Sequence, residues 1–194
     1  MPLILASSSP IRRQLLAAAG VTFEIVPPEL DEAAVKANST GAGLEIAKEL
    51  AGAKAVSVSK SRPSDWVIGS DSVVSVGDRL FDKPADRNAA LEHLRCFSGK
   101  SMRLASAVTL ARGGTREWAH GEVATLHVRD LSDEFIRAYL DAEWPDVAYC
   151  VGVFRLEGRG VQLFDRIDGD HFTILGMPLV PLLGALRARG LLPA

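Results

Sequence analysis

Only two cysteines occur in the 194 residues, Cys96 and Cys150, and they do not form a CxxC metal or redox motif. Both read as reduced core residues of a cytosolic chain, not as halves of a disulfide framework. No apolar run approaches the roughly 20 residues of a membrane span. The N-terminus lacks the basic start and longer apolar stretch of a signal peptide. A cytoplasmic location without membrane contact is therefore expected. Net charge is only −2, which argues against a nucleic-acid polymer held on a broad basic face. Any anionic partner should be small and gripped by a few convergent cations.

The familiar catalytic signatures are missing too. Neither the Walker A pattern nor GxGxxG is present, which removes the standard phosphate-binding loops. His93, His120, His127 and His171 have no metal-ligand spacing, HExxH is absent, and no GxSxG elbow marks a serine hydrolase.

What is there is a soluble globular composition, 47% hydrophobic and 24% charged, sufficient for one domain over residues 1–194 with a substantial core. Leu3 to Ala6 reads as a buried strand, followed by a helix with Ser9 as N-cap and Pro10 at its first position. "VTFEIVPP" reads as a second strand and "ELDE" as a turn. A long helix is expected from Gly43 to Ser59. Then "DWVIGSDSVVSVGDRLF" reads as a strand, a polar break at Gly69-Ser70-Asp71, and a hairpin turned by Gly77-Asp78. A helix capped by Asp86 spans Arg87 to Phe97. Strands at Met102–Ala111 and Glu117–Val128 flank Gly113-Gly114. A helix capped by Ser132, the strand "VQLFDRI" and a last helix from Pro181 to Arg189 complete the chain. This order predicts an α/β domain with a mixed sheet.

Several charges stand where the local pattern does not want them. Arg12 and Arg13 occupy the first turn of a helix, where cations oppose the dipole unless an anion sits there. Lys54 falls three and four residues after Ala51 and Leu50, on the apolar stripe of its helix. Either it snorkels off the edge of that stripe, or its ammonium enters a cleft beside an anion. On the second reading Lys54→Met harms activity and leaves stability intact. Asp71 closes the apolar run "WVIGS", where open α/β sheets place ligands; a turn aspartate is the alternative. Lys83 precedes Pro84 and is held extended. Glu32 in "LDEAA" is either a loop acid or a metal ligand, and Glu157 neighbours a glycine that permits close approach.

The ordered set "LASSSPIRRQLL", "VPPELDE", "AKELAGAKA", "VIGSDSVV", "DKPAD", "FSGK" and "EGRGVQLFDRIDGD…LGMPL" resembles the Maf family of nucleoside triphosphate pyrophosphatases over nearly the whole chain. The resemblance implies a mixed sheet with flanking helices and a deep cleft, similar to inosine triphosphatases. It implies hydrolysis between the α and β phosphates with Mg2+ or Mn2+. By position, Asp71 matches the proton acceptor, and Arg13, Lys54 and Lys83 match the cations around the triphosphate. Glu32 matches an acid near the metal, which Asp71 would also approach, and Ser8 and Arg12 lie in the matching loop. Ile11, Ser72 and Glu157 match specificity positions. Ile11 and Ser72 depart from the methylguanine group, which has tryptophan and glutamine there, whereas Glu157 agrees with it. Homodimerisation is a family expectation, and a nucleotide-binding regulator of cell division is the rival role.

Overall fold

The computed structural model describes residues 2–39 and 41–193. The chain divides into two compact units. The first contains the chain up to Ser72, Ala105–Glu122 and everything from Asp170 onward; the second contains Val73–Leu104 and Val123–Gly169.

In the first unit, β1 (Leu3–Ala6) pairs in parallel with β2 (Glu24–Ile25) and with β3 (Trp66–Val76). Every residue of β1 is buried, as a parallel strand covered on both faces requires. Alternation then sorts its side chains. Leu3 and Leu5 join Leu15 and Leu16 of α1 (Pro10–Ala18) and Leu182 and Leu186 of α7 (Leu179–Arg187). Ile4 and Ala6 face Ala55 and Val58 of α3 (Gly43–Ser61). The α3 helix can lie this close because β3 carries Gly69: a Cβ there would stand 2.2 Å from the Ala51 carbonyl oxygen.

The second unit contains the end of β3, which turns at Gly77 (φ 58°) into antiparallel β4 (Arg79–Phe81). Here α4 (Arg87–Phe97) and α5 (Asp133–Glu143) pack on one another, capped by Asp86 and Ser132. Phe81 meets Phe97 edge-on at 4.7 Å between ring centroids. β5 (Ser101–Arg112) and β6 (Thr115–Val128) pass through both units and are joined by Gly113 and Gly114, both at positive φ. β7 (Phe164–Asp168) runs antiparallel to β6 with an irregularity at His127 and Val128. Backbone pairing follows the order β2-β1-β3-β5-β6-β7, with β4 on β3. This is the mixed α/β sheet expected from the sequence. Among the described residues, no helix is long and apolar enough to cross a membrane.

Three local expectations are corrected. Gly69-Ser70-Asp71 is not a break, because β3 continues through it to Val76; the apolar run resumes at Val73, so pairing carries the polar triplet. The "ELDE" turn starts α2 (Glu32–Asn38), with Asp31 accepting a hydrogen bond from the Ala34 N–H at 3.0 Å. Ser9 stands at the N-cap of α1 with Pro10 first, as expected, although its side chain makes no capping bond. "VQLFDRI" is strand only from Phe164, Val161 and its neighbours forming a 3-10 turn.

Candidate active site

Four charged side chains of the first unit converge. Asp71 sits on the one stretch of β3 that is polar, and Lys54 projects from the face of α3 that packs toward β1 and β3, so the residue that interrupts the apolar stripe is buried with it. The Lys54 ammonium lies 3.2 Å from Asp71 Oδ1 and 2.9 Å from Glu32 Oε1. Only 8% of the Lys54 side chain and 12% of that of Asp71 are exposed, against 49% for Glu32. Arg12 completes the group, with Nη2 3.7 Å from Asp71 Oδ1.

Arg12 is held as firmly as a core residue. Its Nε donates to the Gly176 carbonyl at 2.9 Å and its Nη2 to Ser72 Oγ at 3.1 Å. Burial pushes the guanidinium below its ordinary pKa, opposed by the carboxylates of Asp71 and Glu32. The electrostatic puzzle of a cation in the first turn of α1 is thus answered within the chain: Asp71 is the anion beside it. Arg13 and Ser8 are exposed, and Ile11 is half-buried on the same helix and its approach.

The remaining sequence candidates belong to the second unit. Lys83 is exposed in the segment between β4 and α4, and Glu157 is exposed beside Gly158. Both act electrostatically on Cys150, whose thiol is pushed up to about 11 chiefly by burial and then by Glu157. Arg155, two residues before Glu157, pairs with Asp146 and stands 3.6 Å from Glu143 Oε2. Cys150 and Cys96 are free and partly buried.

Sequence reasoning missed a second layer. Ser70 Oγ lies 2.8 Å from the Ala107 carbonyl and 2.9 Å from that of Gly176. Ser72 Oγ contacts Ser106 Oγ at 2.8 Å, and Ser106 Oγ contacts the Thr173 carbonyl at 2.7 Å. Gly176 holds φ 98°, which glycine tolerates best, and a Cβ there would come 3.2 Å from Ser72 Oγ. No local pattern announces these partners.

The family model described as Maf-like protein matches residues 2–189. The chain belongs to the Maf-like family. It is 49% identical over 191 residues to a 7-methyl-GTP pyrophosphatase of Rhizobium etli, covering 97% of this chain and 96% of that protein. It is 47% identical over 193 residues to a nucleoside triphosphate pyrophosphatase of Nitrobacter hamburgensis, covering 98% and 95%. Among solved structures, the Staphylococcus aureus Ham1 protein aligns over 67% of this chain and 73% of its own, with a TM-score of 0.46 and 14% identity.

Chemically, the cluster of this Maf-like chain pairs two buried cations with two carboxylates. A multiply charged anion entering it would compete for Arg12 and Lys54 and thereby release Asp71. Glu32 and Asp71 both place an oxygen on a single point cation, the Lys54 ammonium, which is the donor chemistry a hard divalent ion uses. Among the described residues no group of three or more His, Cys, Asp or Glu could hold a metal. Glu32 and Asp71 are the two carboxylates of the cluster that would hold such an ion.

Proposed function

We propose that this chain hydrolyses nucleoside triphosphates at the α–β anhydride, releasing a nucleoside monophosphate and pyrophosphate. The substrates we assign are modified or non-canonical guanine-type nucleotides, 7-methyl-GTP among them. The observation that carries the reading is the buried Asp71 carboxylate set against Lys54 and Arg12, together with relatives that are named as pyrophosphatases of this kind.

The roles follow from the charges. Arg12 and Lys54 bind and orient the polyphosphate, and Arg13 adds charge from an exposed position. Phosphoryl transfer depends mostly on such positioning and on stabilising charge that develops on the leaving group. Asp71 accepts the proton of the attacking water as its oxygen bonds to the α-phosphorus and the bridging oxygen departs with pyrophosphate. Glu32 and Asp71 would hold Mg2+ or Mn2+, which supplies charge neutralisation and a more acidic water when bound. A bare nucleotide-binding protein needs the cations but has no use for a buried base at Asp71. A cytoplasmic location and a homodimeric state belong to the same reading, and gel filtration checks the second.

The test is pyrophosphate release by the purified protein from 7-methyl-GTP, GTP and UTP, with Mg2+ or Mn2+ supplied. Release of a monophosphate and pyrophosphate in equal amounts supports the proposal. Release of inorganic phosphate and a diphosphate, or binding without turnover, would refute it.

A further inference from the structure

The geometry points to Ser106 as a positioning residue for Arg12, acting through Ser72. This rests on the reading of Arg12 as a phosphate-binding cation, and it adds a residue that touches neither substrate nor metal. Ser106 lies on β5, is fully buried, and carries no charge that would have drawn attention to it.

Counting protons gives the chain a single direction. A guanidinium has only donors, so Arg12 Nη2 donates to Ser72 Oγ at 3.1 Å. The Thr173 carbonyl has only lone pairs, so the one hydroxyl proton of Ser106 goes to it at 2.7 Å. The 2.8 Å contact between the two hydroxyls then has one solution: Ser72 donates and Ser106 accepts. The relay runs Arg12 to Ser72 to Ser106 to the Thr173 carbonyl, each link using the proton available to it.

The relay matters because of a competing acceptor. The Gly176 carbonyl oxygen receives Arg12 Nε at 2.9 Å and lies 2.9 Å from Ser70 Oγ and 3.4 Å from Ser72 Oγ. With Ser106 in place, the Ser72 proton is drawn away from that oxygen. Without it, the Ser72 hydroxyl turns onto the Gly176 carbonyl, the same atom that anchors Arg12 Nε. The Thr173 carbonyl, by contrast, keeps the Gly176 N–H at 3.0 Å when Ser106 is lost. Loss of the Ser106 hydroxyl is therefore felt at Arg12 more than in the surrounding fold.

Two readouts on the full chain test this. In the ligand-free protein, the Arg12 Nε–H is followed by 1H–15N NMR, and Ser106→Ala should speed its solvent exchange by about ten-fold, as expected when one bond to a charged donor is weakened. Ser72→Ala removes the competing hydroxyl itself, so adding Ser106→Ala to it should speed Nε–H exchange no further. In kinetics, Ser106→Ala should raise the KM for GTP by about ten-fold with kcat within about three-fold, and the effect should vanish in an Arg12→Ala background. Unchanged Arg12 Nε–H exchange in Ser106→Ala, or a further rise when Ser106→Ala is added to Ser72→Ala, overturns the relay, whatever the kinetics. Faster exchange in Ser106→Ala with an unmoved KM upholds the relay and instead removes Arg12 from nucleotide binding. Should Ser106→Ala fail to fold, Ser106→Cys, whose sulfur is a much weaker acceptor, carries both readouts.

Discussion

Lys54 Nζ and Asp71 Oδ1 are 3.2 Å apart on side chains that are 8% and 12% exposed. A pair this buried is costly to break from one side, because the remaining charge keeps its desolvation penalty and loses its partner. Lys54→Met is therefore expected to lower stability by about 1–3 kcal/mol, below the full cost of an orphaned charge because Arg12 remains near Asp71. That differs from the sequence-based expectation of unchanged stability, which treated Lys54 as a cation facing a substrate and lacked its carboxylate partners. Thermal unfolding of Lys54→Met and of Lys54→Met/Asp71→Asn checks it. The double variant should recover most of the loss, and equal melting temperatures for the single variant and the wild type would refute the pairing.

Asp71→Asn alone should act on turnover. The amide keeps the shape and accepts hydrogen bonds, but it cannot take up a proton from water. Turnover should fall by about 100-fold or more while nucleotide affinity stays within a few fold. Calorimetric titration beside pyrophosphate release separates the two quantities. Near wild-type turnover would make Asp71 a structural residue.

Glu157 is expected to bias the choice of base. A carboxylate only accepts hydrogen bonds, which suits the adjacent N1–H and N2–H of a guanine edge. Glutamine offers one donor and one acceptor and suits a uracil-type edge. The kcat/KM of wild type should favour guanine-type over uridine and thymidine triphosphates, and Glu157→Gln should shift that ratio by about ten-fold towards the pyrimidines. An unmoved ratio removes Glu157 from base recognition.

His93 should make the fold sensitive to mild acid. Its ring meets Phe81 edge-on at 5.1 Å, and its Nδ1 is buried with no hydrogen-bond partner among the described residues. Burial, and then the charge of Arg79, lowers its pKa from 6.5, with Asp82 opposing. The unfolded chain therefore takes up this proton first as pH drops through about 6.5. Stability declines below that pH until the folded-state value is passed, then levels. His93→Leu should flatten that slope between pH 7 and 5 in denaturant titrations. A slope identical to wild type would show that another group dominates.

The sequence was most informative where chemistry and periodicity disagree. Lys54 on an apolar stripe and Asp71 after an apolar strand were both legible as oddities, and the structure brings them together. Most elements were legible as well, since capping residues such as Asp86 and Ser132 act within a single turn. Glu32 was harder, because α2 buries none of its residues and so lacks an apolar face to read. Ser106 and Gly176 were invisible: Ser106 is 34 residues from Ser72 and Gly176 is 164 from Arg12, so strand pairing and the return of the chain create those contacts.

Gly69, Ser70 and Asp71 can now be separated by what each would lose. Any side chain at Gly69 would strike the backbone of α3, at the Ala51 oxygen and at the Ala55 nitrogen 2.7 Å away. Ala55 follows Lys54 directly, so pushing the helix outward carries the ammonium away from the carboxylate. The glycine of the triplet thus acts as a spacer that sets the reach of a charge three residues off its own helix contact, and it needs no nucleotide to justify it. A Gly69→Ala chain would be expected to disarm the site with every charged residue still in place.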